Sequence, residues 1–287
     1  MHLSFRKSVT DRLLTKIRSG EMMSRNEKFN LIIQLSIPSI LAQVTTVLMF
    51  YIDAGMVGSL GAEPSAAIGL VEPATWLFFS LVSAVTMGFS VQVAHFIGAN
   101  DFAKARAVMR HGYIFGLCFA LFLLLITFLI GYRLPVWLGG GTDIQHDATV
   151  YFLIFSLIIP FHLIEYMSAA MLKVSGDMRR PSFMAILMCV LDVIFNYFFI
   201  FPTRTVSLFG VEVTMPGLGE GVAGAALGSL LSFVCVALPL AYYAIFRSPI
   251  LAWKQDIERF VWRWQYIWNA MKIGAPMALQ YLLMNGA

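Results

Sequence analysis

The sequence predicts an all-α polytopic membrane protein, and three observations carry that prediction. The chain is 59% hydrophobic and only 13% charged, with mean hydropathy +0.77; a soluble domain has roughly 45–50% apolar and about 25% charged residues. Its apolar residues gather into runs long enough to cross about 30 Å of hydrocarbon at 1.5 Å per helical residue. Once those runs are threaded alternately across a bilayer, eighteen of the 20 Lys and Arg residues fall on one side and two, Arg133 and Arg204, on the other. Such an excess marks the cytoplasmic face, so the N-terminus is expected inside a cell membrane.

Residues 1–28 are polar and basic and contain neither an apolar run nor a small-residue cleavage site, which excludes a signal peptide. They read as a cytoplasmic segment, either a solvated tail or a short amphipathic helix with Leu13, Leu14 and Ile17 on one side. Six full spans follow at roughly 29–58, 66–95, 108–131, 148–172, 182–201 and 219–246. Together, residues 29–246 form the expected six-helix unit, 247–266 a cytoplasmic linker, and 267–287 the start of a seventh span. In the outer connector 203–220, the alternation of Val206, Leu208, Val211 and Val213 predicts a hairpin turning at Phe209-Gly210. The small residues of GVAGAALGS in the sixth span predict close helix packing. Cys118, Cys189 and Cys235 lie in separate apolar stretches and read as buried hydrophobes rather than a disulfide or metal framework. The basic balance sits at the membrane face, so nucleic acid is not an expected partner.

Polar residues inside apolar spans carry the functional signal, because an ionised group in a bilayer must face protein or a watery cavity. Asp192 and Asn196 stand four apart in PSFMAILMCVLDVIFNYFFIF, on one helix face. They either bind an ion or cargo, or clasp a neighbouring helix. Asp53, in FYIDAGMVGSL, either faces the same cavity or lies at the outer interface. Gln34 and Gln43 line that cavity or bond across helices, and Glu165 does so or pairs with His162, three residues earlier. Glu72, before Pro73, reads as a turn or cap, and Trp76 as an interfacial anchor or a cavity residue. Pro38 removes a backbone donor from the first span and is the expected hinge. H-E-x-x-H, G-x-S-x-G and P-loop patterns are missing, and GLGEGVAG follows no nucleotide-fold strand, so the protein is not expected to be an enzyme.

Two inner loops, SVQVAHFIGANDFAKARAV (90–108) and KVSGDMRRPSF (173–183), resemble connectors of the multidrug and toxic compound extrusion (MATE) family. FYIDAGMVG, LDVIFNYFFIF and GVAGAALGS extend the likeness over most of residues 30–230. The resemblance implies a MATE-like six-helix lobe with part of a seventh transmembrane helix, the second lobe being missing. MKIGAPMALQYLLM (271–284) echoes QLSIPSILAQVTTVLM (34–49), where a parallel repeat should start.

By that likeness the protein is a monomeric antiporter that exports small organic, often cationic, compounds or drugs by alternating access. No cofactor is expected; the coupling ion is H+ or Na+. Asp53 matches the family's first-helix acid, and Asp192 with Asn196 its fifth-helix polar pair, so a Na+ ion would sit among these three. Many prokaryotic members carry that pair in the opposite order, Asn then Asp. A lipid-linked oligosaccharide flippase of the same superfamily, a passive channel and a non-transporting membrane scaffold are the alternatives.

Overall fold

The computed structural model describes residues 13, 15–16, 19–208, 211–255 and 260–285. Leu14 and Ile17 of the expected amphipathic helix, and the Phe209-Gly210 turn, lie outside them.

The first helix, α1 (Arg25–Gly58), starts at a capping box: Ser24 Oγ accepts from the Glu27 N–H at 3.2 Å, and Glu27 Oε2 accepts from the Ser24 N–H at 3.0 Å. It runs unbroken through Pro38, and of its described residues only Leu31 and Met49 are buried. The central element is α2 (Ala62–Gly98), whose inner half carries the fully buried Val82, Thr86, Phe89 and Val93. Asn100 takes a left-handed φ of 59° in the tight turn that follows, and Asp101 then caps α3 (Phe102–Gly131). Asp101 accepts from the Lys104 backbone N–H at 3.1 Å and pairs with the Lys104 ammonium at 2.7 Å. Those two bonds hold its carboxyl below the ordinary carboxylate range, the ammonium contributing most.

The expected fourth span is broken. A single helical turn (Leu134–Trp137) leads to α4 (Gln145–Ser156), which meets α5 (Ile158–Val174) at a 40° bend. Pro160 explains it: the ring has no N–H for the Ser156 carbonyl and crowds that oxygen. Downstream, Asp177 accepts from the Arg180 guanidinium, which also lies 4.2 Å from the Tyr243 ring centroid, and α6 (Arg179–Ile200) begins there. The expected hairpin is present as antiparallel β1 (Pro202–Leu208) and β2 (Val211–Leu218). The sixth span is α7 (Gly221–Tyr242), extended by a π-helical turn to Arg247.

Of the described helices, α1, α2, α3, α6 and α7 are long and apolar enough to cross a membrane, and bent α4–α5 makes a sixth such span. The seventh, α8 (Trp264–Asn285), lies along α2 with backbones in close approach: a Cβ on Gly88 would strike the Ala270 carbonyl, and one on Gly274 the Ala84 carbonyl. The segment before it is bound to α3, and its own first turn to α2. Arg106 donates to the Ile250 carbonyl (3.0 Å), Arg110 to that of Trp253 (2.7 Å) and Gln92 to that of Tyr266 (3.0 Å). His111 Nε2 accepts the Arg263 backbone N–H at 2.8 Å. The cysteine expectation is corrected: Cys189 is buried, but Cys118 and Cys235 are exposed on outward faces of α3 and α7.

Candidate functional site

Helices α1, α2, α4–α5, α6 and α7 enclose a chamber of about 690 Å³. One part of its wall carries Asp53, Asn196 and Ser229; a second part carries Glu72, Trp76, Phe79, His162, Glu165 and Tyr166.

A polar knot joins α1, α6 and α7 at the first part of the wall. The Asn196 amide nitrogen donates to Asp53 Oδ1 at 3.0 Å and to Asp192 Oδ2 at 2.9 Å, so one NH2 group bridges two carboxyl groups. Asp192 Oδ1 accepts from the Ser232 hydroxyl at 3.0 Å. The shared amide brings the Asp53 and Asp192 carboxyls close together, and two like charges so placed are unfavourable unless a proton or cation lies between them. Asn196 Oδ1 is buried with no hydrogen-bond donor among the described residues. Because the NH2 group faces both acids while Oδ1 faces Gly228, the knot brings together two carboxyl groups and an amide donor; among the described residues no three His, Cys, Asp or Glu side chains gather for a metal.

Of the two readings open for Asp192, the structure shows the contact with a neighbouring helix, its bond to Ser232 of α7. Asp192 is 0% exposed and lies behind Asn196 (2%), with no surface on the chamber lining. Its connection to the chamber runs through the Asn196 amide and Asp53. The knot exists because α7 presents Gly228 to α6: a Cβ there would overlap the Asn196 side-chain oxygen and backbone, and Gly224 meets the Phe199 carbonyl in the same way. GVAGAALGS thus has a role beyond helix packing, because it makes room for the amide.

Gln43 and Glu165 line the chamber as expected. Gln34 does not. It sits nine residues before Gln43 on α1, about 13 Å along the axis. Pro38, one turn on, is an interior residue of the same helix. Glu72 is neither turn nor cap, because α2 already begins at Ala62; it accepts from Trp76 Nε1 at 3.2 Å inside the chamber. The His162–Glu165 pair is not formed: neither ring nitrogen of His162 has a hydrogen-bond partner among the described residues.

An unexpected feature is a ladder of rings along the second part of the wall. Tyr151 stacks on Phe155 (5.3 Å between centroids), Phe155 on Phe79 (5.5 Å), and Phe79 on His162 (4.4 Å), with Tyr166 5.6 Å further on. Its signal was in the sequence: Tyr151/Phe155 and His162/Tyr166 are both i,i+4 pairs. What hid it was that the partner ring comes from α2.

Six apolar spans, five of which enclose one partly acidic chamber, define a polytopic membrane protein. The profile of the MatE family matches residues 38–198, more than half of the chain. The chain belongs to the MATE family.

Among curated relatives, a probable multidrug resistance protein NorM of Neisseria meningitidis is 25% identical over 264 residues, which cover 91% of this chain and 54% of that protein. The probable NorM of Thermotoga maritima is 24% identical over 255 residues, covering 88% and 52%. An outward-facing multidrug resistance MATE family transporter of the MOP superfamily superposes with a TM-score of 0.75 at 23% identity, over 88% of this chain and 52% of that one. The chain spans about half the length of the relatives it matches.

Proposed function

We propose that this chain supplies a cargo chamber and an ion-coupling knot to an ion-driven exporter of organic, cationic compounds, with its N-terminus in the cytoplasm. The observation that carries the reading is the Asn196 amide held between the Asp53 and Asp192 carboxyls beside a chamber large enough for a drug-sized molecule. Its relatives' description as multidrug resistance proteins supports the cargo class. The lining supports positive charge on the cargo: Asp53, Glu72 and Glu165 stand against the single base Lys173. That balance disfavours the flippase alternative, whose anionic headgroup would meet three acids.

In this reading Asp53 is the group that exchanges with the chamber. Asp192 is the buried partner that fixes the amide, and its carboxyl and that of Asp53 together hold the proton or Na+. With the ion bound, the wall no longer attracts a cation and cargo leaves; with the ion gone, the wall recruits the next molecule. Glu165, Glu72 and Gln43 are cargo contacts. The protein acts as a monomer, and Pro38 is the hinge that lets α1 bend.

The test is efflux by the full chain in proteoliposomes under imposed H+ or Na+ gradients. Asp53→Asn and Asp192→Asn are expected to abolish gradient-driven ethidium export while the proteins still insert. Undiminished export by both variants overturns the reading, and export independent of both gradients favours a passive channel.

A further inference from the structure

We infer that His162 selects cargo: the chamber holds a subsite for planar aromatic molecules that carry a hydrogen-bonding group. The inference rests on the export reading and goes beyond it by assigning a residue and a ligand shape. A buried imidazole without partners is costly, since each polar group withdrawn from water loses its hydrogen bonds. Both His162 nitrogens are in that state, and the Glu165 carboxylate, three residues on along α5, does not relieve it. The ring nevertheless belongs to the chamber wall.

Its position is fixed by rings alone. Phe79 lies parallel to it at 4.4 Å with 18° between planes, Phe233 meets it edge-on at 5.7 Å and 82°, and Tyr166 flanks it at 5.6 Å. Stacking positions an imidazole without using its nitrogens. The χ2 torsion of histidine is broad, and a half-turn about it keeps the ring plane and its stack while exchanging each nitrogen with a ring carbon, so the imidazole can offer a nitrogen to a bound molecule without losing Phe79. A flat molecule laid on the ladder extends the stack, and its donor or acceptor satisfies the nitrogen. Either kind of group suits, since neutral imidazole presents one donor and one acceptor. A molecule with no such group leaves the nitrogen unpaired, and sites of this kind discriminate strongly on that ground.

The experiment measures equilibrium binding of two planar cations, ethidium with its two amino groups and N-methylacridinium with none, to the full chain in nanodiscs. His162→Phe keeps the stack and removes the nitrogens; His162→Gln keeps hydrogen bonding. The expected result is an ethidium affinity at least about tenfold weaker in His162→Phe, the change expected for one lost buried hydrogen bond. N-methylacridinium affinity is unchanged, ethidium binding is partly restored in His162→Gln, and the melting temperature of His162→Phe equals or exceeds that of the wild type. A histidine with a merely structural role predicts the reverse, a lower melting temperature and no difference between probes. Equal loss of both probes, or loss of neither, in a wild type that binds them overturns this inference alone. A wild type that binds neither probe overturns the export reading as well.

Discussion

Gly228 has no side chain, yet the knot depends on it. A methyl group there would overlap Asn196, the residue that bridges the two acids. Gly228→Ala is expected to cost about 1–3 kcal/mol through forced repacking and to abolish ion-dependent export, read as a lower melting temperature and lost gradient-driven efflux. Gly69→Ala is the control, with open space around its position; it should leave export unchanged and raise the melting temperature slightly, since alanine suits a helix interior better than glycine. Ser232→Ala leaves one Asp192 oxygen without its donor in a fully buried place. It should destabilise by about 1–3 kcal/mol, and Ser232→Thr, which restores a hydroxyl, should recover part of that in the same melting assay. At this scale the sequence revealed the acids and the amide, because a polar residue in a twenty-residue apolar run stands out. It could not rank their depth: Asp192 and Asn196 share a helix face, and only the approach of α7 decides that the amide reaches the chamber and the acid does not.

Single elements yield two further tests. Asp101 caps α3, and replacing such a cap with alanine costs about 1 kcal/mol, with asparagine much less. Because the Asp101 carboxyl is held below its ordinary value of 3.8, its contribution is complete above that value and fades as pH falls through the lower, folded one. The stability gap between wild type and Asp101→Ala at pH 7 should therefore narrow in melts run below about pH 4. Pro160→Ala returns an N–H to the broken fourth span. The 40° bend should relax, displacing His162 and Glu165 and weakening ethidium binding severalfold while insertion is retained. Prolines show where sequence reading stops. Pro38, Pro73 and Pro160 remove the same donor, yet α1 and α2 run on through theirs and only the third breaks its span. A missing hydrogen bond permits a break; packing against neighbouring helices decides whether it happens.

Across the whole molecule, the described residues between the sixth and seventh spans, 248–255 and 260–263, are tied to α3 through Arg106, Arg110 and His111. Removing two anchors in Arg106→Ala/Arg110→Ala is expected to free the Ile250 and Trp253 carbonyls and to expose residues 248–255 to limited proteolysis, with cleavage rising several-fold on a gel. The order of the spans and the hairpin were legible from hydropathy and strand alternation alone. The chamber was not, because it is a property of six helices at once and no single stretch encodes it. The glycine seam between α6 and α7 reaches furthest in its consequences. Two helices whose backbones touch at Gly224 and Gly228 cannot slide or roll past one another without driving a side chain into the gap. The seam therefore makes one packed spar of the two helices, and a change in the chamber's shape is expected to fall on the elements around that spar.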